Sequence, residues 1–441
     1  MRTIAAVSTL AGLALATRVA RAQTTGAPEE PTPASPSLPL GGRVFAYLRA
    51  PLTDAPIEQA STSAWLEAHP KMGPTYARVT VTADAFATSV TGGPEVRGRL
   101  REGYVGIGNE RVDLRVGEQI LPWGNADVVS PTDLLTARDY TFFSADPEAN
   151  RLGVLSARAS WTPATWMSIE AVATPIAPAS TLLIPPALVP AGVALHPLQP
   201  PTAKLVNAEE AARVAFTGDG WDVALVGFRG WNHIPEFVPL AIEANGTIDV
   251  GLAQHRYLAG GGEASVSIAS WVLRAESAYV STQNDDGRNP LVQPTHWDSV
   301  FGVERAFFDE HLRVQAQGLV RDHPRYAPPS AAVGPTLAAT EIEVALAQAN
   351  SILESYDSQL RVNASLRIAY ATTDDTVAVE VFGLANLNDT HDFFVRPLVG
   401  YRPTDAVKLE VGAEIYGGPT LSPLGALHDY GGAFVQATYA F

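Results

Sequence analysis

The stretch QLRVNASLRIAY, Gln359 to Tyr370, alternates polar and apolar side chains from its first residue to Ile368. Successive side chains of a β-strand point to opposite faces, so this pattern predicts a strand with one apolar and one polar face. A sandwich would bury the apolar face in a core, whereas a membrane barrel would turn it outward to lipid. A single strand fits both arrangements, so the remaining chain has to distinguish them.

The same alternation recurs along the 441 residues and predicts about 16 strands. The predicted strands lie near 76–90, 97–108, 111–120, 152–162, 165–174, 207–218, 221–231, 254–268, 271–282, 296–306, 311–322, 358–371, 376–387, 392–402, 406–417 and 430–441. Residues 43–49, RVFAYLR, form either a further strand or a segment lining the inside of a barrel. Residues 56–71 include a weakly helical stretch. The pattern therefore predicts an all-β protein.

Tight turns join some consecutive strands, and mostly long loops join the others. The tight turns lie at Asn109-Glu110, Thr162–Thr165, Gly218-Asp219-Gly220, Ala269-Ser270, Phe308–Glu310, Thr373-Asp374-Asp375 and Pro403-Thr404-Asp405. The long loops lie at 121–151, 175–206, 232–253, 284–295, 323–357 and 418–429. Short and long connections in alternation are typical of outer-membrane barrels, which have short periplasmic turns and long extracellular loops.

Aromatic residues flank nearly every tight turn. They are Trp161, Trp166, Phe216, Trp221, Trp271, Phe307, Phe308, Tyr370 and Tyr401. In a soluble fold these rings would be exposed at hairpin ends, whereas in a membrane barrel they form the girdle at one bilayer interface. We therefore predict a closed antiparallel transmembrane β-barrel over residues 43–441. In it Leu366 and Ile368 face lipid, and Arg361 and Arg367 face a water-filled lumen.

The two ends of the chain carry export features. Residues 1–22 have the form of a secretory signal peptide, with a charged start, an apolar stretch and an A-x-A cleavage site. Residues 23–42 are Pro-rich and predict a disordered or polyproline-like leader. The last strand ends on Phe441 and resembles the C-terminal signal by which bacterial outer-membrane proteins are recognised for insertion. We expect an outer-membrane location in a Gram-negative bacterium, with membrane lipid and the barrel-insertion machinery as partners.

The composition excludes several classes of site and partner. The chain has no cysteine, which rules out disulfides and cysteine-ligated metals and fits an exported protein. Loss of the signal peptide would remove Arg2, Arg18 and Arg21 and take the net charge from −16 to −19, so we expect no nucleic-acid partner. No run of about 20 apolar residues follows the signal peptide, so a membrane location requires a closed barrel rather than helices.

Motifs that carry catalysis are missing from the sequence. There is no G-x-S-x-G, H-E-x-x-H or Walker A sequence, and the nine histidines are scattered, mostly in predicted loops. The segment NDDGRN at 284–289 resembles part of a calcium loop, but the ligands that should follow are absent. We therefore expect no enzyme activity, no cofactor and no bound metal.

Residues 111–140 contain the sequence most typical of a functional loop. The residues Gly117, Gln119, Trp123, Gly124, Asp127, Pro131 and Asp133 fit a pattern G-x-Q-x-x-x-W-G-x-x-D…P-x-D. This pattern resembles a family of uncharacterised, porin-like proteobacterial outer-membrane barrels, sometimes linked to export of hydrophobic compounds, and implies transport. The Ser-Pro-Thr-Asp sequence at 130–133 also predicts a short helix at about 131–138. The loop either anchors to the wall or narrows the pore. The candidate constriction residues are Trp123, Asp127, Asp133 and Arg138.

A second long loop, 175–203, contains no charged residue and is rich in proline. A loop this apolar would form an uncovered patch if it stood free in water. It therefore enters the barrel mouth, lies on lipid, contacts a partner or packs against neighbouring loops. If it enters the mouth, it favours apolar or amphipathic solutes.

Charged residues alternate with apolar ones on many of the predicted strands, which places them on the inner face. The predicted pore-lining residues are Arg115, Arg158, Arg213, Arg274, Arg313, Arg361, Arg367, Glu276, Glu380 and Glu410. The strands 311–322 and 358–371 should be neighbours, which would group Arg313, Arg321, Arg361 and Arg367 in one basic stripe. Such charges either select solutes or neutralise one another and brace the wall.

These features predict an outer-membrane channel, a porin or specific conduit, for small solutes that include apolar or amphipathic ones. The alternative is a barrel without an open pore that acts as a receptor, adhesin or assembly partner through its loops. The sequence leaves the number of associated barrels open, with a homo-oligomer as one alternative.

Overall fold

The structure is a computed structural model of the whole chain. It describes residues 39–53, 59–88, 93–126, 129–185, 188–190, 193–242, 248–388 and 391–441. The predicted signal peptide, 1–22, and nearly all of the predicted leader lie outside the described residues.

Eighteen strands of the described chain close into one antiparallel barrel. In chain order they are β1 Leu40–Pro51, β2 Gln59–Ala68, β4 Thr75–Thr88, β5 Gly93–Gly108, β6 Val112–Gln119, β7 Val154–Ala164, β8 Met167–Thr174, β10 Glu209–Gly218, β11 Trp221–Trp231, β14 Arg256–Ile268, β15 Trp271–Thr282, β16 His296–Phe307, β17 Leu312–Asp322, β18 Leu360–Ala371, β19 Val377–Asn386, β20 Phe393–Thr404, β21 Val407–Gly417 and β22 Gly432–Ala440. The last strand pairs with the first, which closes the sheet. The predicted fold class is confirmed, with slightly more strands than expected.

The chain reverses at one end of the barrel through tight turns and at the other mostly through long loops. A short extra strand, β3 Lys71–Met72, pairs with β4 at the tight-turn end. Because each strand runs antiparallel to its neighbours, all the long connections lie at one end, which we call the long-loop end. The described residues include no helix long and apolar enough to cross a membrane.

Strand β18 shows how the sequence alternation maps onto the wall. Leu366 is 47% exposed on the outer face, whereas Arg361 is 4% exposed on the inner face. Leu366 and Ile368 thus point away from the barrel, as predicted. The predicted neighbour relation is also confirmed, because β17 pairs with β18 and Arg321 lies directly opposite Arg361.

The rings near the tight turns lie on the outer surface. Exposed aromatic side chains at this end include Trp161, Trp166, Trp221, Trp271, Phe308, Tyr370, Tyr401, Tyr439 and Phe441. Two of the predicted girdle residues, Phe216 and Phe307, are only partly exposed. Phe216 stacks on Trp166 with ring centroids 6.2 Å apart. The exposed rings therefore form a belt around this end of the barrel.

The helical interpretation of 56–71 was wrong, because Gln59–Ala68 is strand β2. Ser61, Ser63 and Trp65 are buried on its inner face, while mostly small residues such as Ala60 and Ala64 face outward. Small outward side chains give little contrast in hydropathy, and Ala and Glu are helix formers, so the period of two was hard to recognise.

The long loops contain structure that the sequence interpretation missed. Strands β9 Val193–Leu198, β12 Glu236–Ile242 and β13 Ile248–Ala253 form a small separate sheet, and α1 spans Leu337–Leu353. The helix begins after Thr336, whose Oγ1 accepts a hydrogen bond of 3.1 Å from the amide of Ala339. The predicted long connection at 323–357 therefore contains a helix that the sequence interpretation did not predict. We call this sheet and helix the loop cap.

The apolar loop at 175–203 packs into the loop cap. Leu182, Ile184 and Leu188 are buried in one cluster with residues of α1 such as Leu346 and Ile352. Of the alternatives for this loop, the structure shows packing against neighbouring loops. This burial removes the reason to expect an apolar lining at the barrel mouth.

Candidate functional site

The loop between β6 and β7, residues 120–153, folds into the barrel, and we call it the inner loop. Glu276 on the wall strand β15 accepts hydrogen bonds from Ser130 Oγ at 2.6 Å and Thr132 Oγ1 at 3.0 Å. The same carboxylate accepts bonds from the backbone amides of Asn125 and Ala126. Sequence reasoning placed Glu276 on the inner face, and in the structure this side chain holds the inner loop.

The inner loop also reaches the wall formed by the last strands. Ser144 Oγ and the amide of Ala145 each lie 3.0 Å from Oε1 of Gln436 on β22. Arg396 on β20 donates to the carbonyl of Ala145 at 2.7 Å. Since β15 and β22 lie well apart around the barrel, the loop crosses the lumen between them.

A row of arginines on β1 and β5 fixes the returning half of the inner loop. Arg101 donates to the carbonyls of Glu148, Ala149 and Arg151 at 2.7–2.8 Å. Arg43 pairs with Asp146 at 2.9 Å. Sequence reasoning missed these anchors, although the alternating arginines of VRGRLRE at 96–102 gave a signal.

A further pair, Arg99 and Asp139, joins the same wall to the loop at 2.7 Å. Asp139 is buried, so this ion pair is shielded from bulk water and is worth more than an exposed one. The returning half of the loop is therefore held by charged contacts along its length.

The predicted helix at about 131–138 is absent, so that prediction was wrong. A single turn forms there, closed by the hydrogen bond of 3.1 Å from the amide of Asp133 to the carbonyl of Ser130. The sequence suggested that the hydroxyl of Ser130 caps a helix. In the structure this hydroxyl instead donates a hydrogen bond to Glu276 on the wall. A long-range partner of this kind is invisible in a local motif.

The predicted constriction residues lie at different places in the inner loop. The indole nitrogen of Trp123 donates to Glu170 on the wall at 2.8 Å, and its ring is buried. Asp133 pairs with Arg151 at 3.1 Å and lies 3.8 Å from Arg138, within the loop itself. Asp127 lies outside the described residues. These contacts show Trp123 as a wall anchor, and the constriction role of the other residues stays a prediction.

The predicted pore-lining arginines lie on inner faces, and most of them contact acidic side chains there. Arg158 pairs with Glu170, Arg213 with Glu263, Arg274 with Glu304, Arg115 with Asp113, Arg361 with Asp357, and Arg313 with Glu310 and Glu304. In the predicted basic stripe, Arg321 pairs with Asp298 at 2.6 Å. The inner charges therefore brace the wall in large part, as one of the two alternatives supposed.

Three further residues were predicted to line the pore, namely Arg367, Glu380 and Glu410. Glu410 lies 2.6 Å from the amine of Lys408 on the same strand. Glu380 lies on β19, and its register partners are Ala369 and Leu398. The guanidinium of Arg367 lies 5.8 Å from the ring centre of Phe382. A lining role for each stays a prediction.

A cavity of about 170 Å³ lies between the inner loop and the wall at the long-loop end. Its polar lining includes Arg138, His233, Gln293, Arg321 and Glu354. Its apolar lining includes Leu134, Tyr257 and Val280, which pack together with the inner loop in one cluster. A smaller cavity of about 70 Å³ shares Pro131, Asp298 and Arg321 with the first. The cavity lining is thus partly apolar and partly polar.

A buried carboxyl pair ties the loop cap together beside the main cavity. Glu236 on β12 and Glu354, which caps the C-terminal end of α1, are both buried and interact electrostatically. The amide of Gln293 donates to Glu236 at 2.6 Å, and Asn232 donates to Glu354. His255 contacts Glu236. Two interacting buried carboxyl groups repel each other when both are ionised, so this arrangement depends on protonation of at least one of them.

Burial raises the pKa of Glu236 to about 7, and burial together with Glu236 raises the pKa of Glu354 above its usual value. The docked cap therefore gains stability at low pH. This gain is lost as the pH rises from about 4.5 through 7. Burial lowers the pKa of His255 below the usual histidine value of 6.5. Protonation of this imidazole therefore opposes docking of the cap only as the pH falls below that value. We expect the cap to be most tightly docked in mildly acidic buffer.

Amide hydrogen exchange tests this expectation. In β12 and the end of α1, exchange should become faster between pH 5 and pH 8, after correction for intrinsic rates. The variant Glu354→Gln should weaken this dependence, because only one of the two carboxyl groups with a raised pKa then remains to titrate. The matched control Glu341→Gln, on an exposed part of α1, should leave it intact. Equal protection at both pH values in the unmodified chain would contradict the expectation.

Solved structures of outer-membrane porins share this architecture at very low identity. OccK1 (OpdK) of Pseudomonas aeruginosa superposes with a TM-score of 0.54 at 8% identity, covering 91% of this chain and 98% of that one. OccK5 (OpdH) of the same organism gives 0.53 at 8% identity, with 91% and 96% covered. OccAB1 of Acinetobacter baumannii gives 0.53 at 9% identity, with 91% and 95% covered.

The similarity to these porins concerns the fold. No protein-family model matches the sequence. No curated protein matches it either. The chain therefore has the fold of an outer-membrane porin barrel, and the family suggested by the motif at 117–133 stays a prediction.

Proposed function

We propose that this protein is an outer-membrane channel that admits small solutes through a lumen narrowed by the inner loop. The observation that carries the proposal is the inner loop itself, fixed across an 18-stranded barrel at Glu276 on one wall and Gln436 on another. A loop attached to opposite walls leaves a narrower passage that is lined by particular side chains. Such a passage can select solutes, which a wide barrel of this size would otherwise admit freely.

The orientation of the barrel follows from its connections. Barrels of this type have their short turns in the periplasm and their long loops outside the cell. The loop cap and the main cavity then face the outside, and the aromatic belt near Trp161 and Trp221 lies at the periplasmic interface. Solutes would meet the cap and the cavity before they pass the inner loop.

The cavity supports small amphipathic molecules as the solute class. Leu134, Tyr257 and Val280 offer apolar surface, and Gln293 and Arg321 offer polar groups. The neighbour OpdK has been solved with vanillate, a small aromatic carboxylate of this kind. Since most inner charges are paired, shape and amphipathic character rather than net charge would decide entry.

A receptor or adhesin without an open pore is the second candidate. The observation that favours it is the packing of the loop cap against Tyr140 of the inner loop at the long-loop end. Surface binding without conductance would be its signature.

Planar-bilayer recording separates the two candidates. We expect the purified chain to give discrete conductance steps, with a reversal potential near zero in a salt gradient because the inner charges are largely paired. Proteoliposomes should take up vanillate faster than a sugar of similar mass. Absence of both conductance and uptake would contradict the channel and favour the receptor.

A further inference from the structure

Charged side chains are rare on the outer face of the barrel. Among the described strands, those directed outward toward the long-loop end include the cations Arg229 and Arg256 and the acids Glu118, Glu210 and Asp322. A cation on a lipid-facing wall costs about 2–4 kcal/mol at the bilayer centre and about 0–1 near the interface. These two cations therefore belong at the interface, where lipid headgroups lie.

The two arginines are neighbours on the wall. Arg229 on β11 lies opposite Leu258 of β14, and Arg256 lies two residues before Leu258 on the same strand. Such diagonal partners have Cα atoms roughly 7–8 Å apart, which lets two long side chains reach one ligand. The guanidinium of Arg256 lies 4.4 Å from the ring centre of Trp231, which keeps it near the surface.

A short segment, 202–207, folds over the same part of the wall. Arg256 donates to Oδ1 of Asn207 at 2.6 Å, and the indole of Trp231 donates to its carbonyl at 2.9 Å. The segment presents Leu205 and Val206, which are 90% and 63% exposed. Lys204, one of only three lysines in the sequence, stands exposed beside them. Three cations and two apolar side chains therefore share one patch.

The patch has a net positive charge even when the ion pair between Arg229 and Glu210 is counted. Glu210 lies 3.7 Å from Arg229, and both side chains are about half exposed, so the pair is weak and open to water. The hydrogen bonds that Arg256 donates within the described chain all leave from Nη2, so its other guanidinium nitrogens remain available for a ligand. Arginine pairs of this kind suit phosphate oxygens.

The patch continues into the lipid-facing wall. Leu225 and Leu258 are exposed below it on the same two strands. We propose that Lys204, Arg229 and Arg256 bind the phosphate of an anionic outer-leaflet lipid whose acyl chains lie along Leu225 and Leu258. This inference rests on the proposed outer-membrane location, with the long loops outside the cell.

Lipid binding can be measured with a phosphorylated glucosamine lipid, the same lipid without its phosphates, and inorganic phosphate as probes. The full-length mature chain in neutral nanodiscs should retain the phosphorylated lipid at least tenfold better than the dephosphorylated one. The double variant Lys204→Gln/Arg229→Gln leaves the contacts of Arg256 intact and should lose most of this preference. The control Arg305→Gln, on the outer face at the other end of the barrel, should keep it.

Equal retention of both lipids, or an unchanged preference in the double variant, would overturn the proposal. Displacement of the lipid by millimolar inorganic phosphate would overturn it too, because the patch would then bind a free ion and not a lipid. Conductance of the double variant in neutral bilayers provides a separate readout. It should equal that of the unmodified chain, so failure of the lipid site and failure of the channel are distinguishable.

Discussion

Substitution of Glu276 by alanine is expected to raise the single-channel conductance several-fold and to make it noisy. The carboxylate accepts two hydroxyl and two backbone-amide hydrogen bonds from the inner loop. Without it the donors of the loop lose a charged partner, and hydrogen bonds to charged groups contribute about 1.5–3 kcal/mol each. The middle of the loop should then leave the wall and widen the passage.

Glu304→Ala is the matched control for this experiment. Glu304 also lies on an inner face and pairs with Arg274 and Arg313, but it contacts no residue of the inner loop in the described chain. Its removal should change conductance only slightly. If both variants conduct as the unmodified chain does, the inner loop does not limit the passage.

Removal of most of the inner loop, with a short Gly-Ser linker in its place, should give a still larger and steadier conductance.

Replacement of Leu366 by arginine is expected to destabilise the barrel in a bilayer by about 2–4 kcal/mol, because the side chain lies near the middle of an outward face. The variant Asn363→Arg, on the inner face of the same strand, should cost much less, since its charge meets water in the lumen. Urea titration of folding into vesicles, followed by tryptophan fluorescence, measures both. Equal losses for the two variants would contradict the assignment of the faces.

The barrel wall was predictable because its signal is local. Each of the predicted strands overlaps an observed one, since a period of two needs only a few residues to be recognised. Strand β2 was not predicted because its outward residues are small, and α1 was not predicted because 323–357 was assigned only as a long loop. The N-cap at Thr336 and the Ala- and Glu-rich sequence after it could have indicated this helix.

The candidate site was predictable only in part. The motif around Trp123 and Asp133 identified the inner loop, and the alternation placed Glu276 on the inner face. That Glu276 binds the loop, or that Arg101 holds its return, depends on contacts between residues far apart in the chain. The carboxyl pair of Glu236 and Glu354 is of the same kind. Long-range polar pairs of this sort leave no periodic trace in a single sequence.

Site-specific labelling of β18 shows directly which of its faces contacts lipid and which contacts water. The chain has no cysteine, so single cysteines at each position from 363 to 368 can be labelled in proteoliposomes without a background. We expect cysteines at 363, 365 and 367 to react with a charged water-soluble reagent, and those at 364, 366 and 368 to react with a lipid-phase reagent. Labelling without a two-residue period, or with the two faces exchanged, would contradict it.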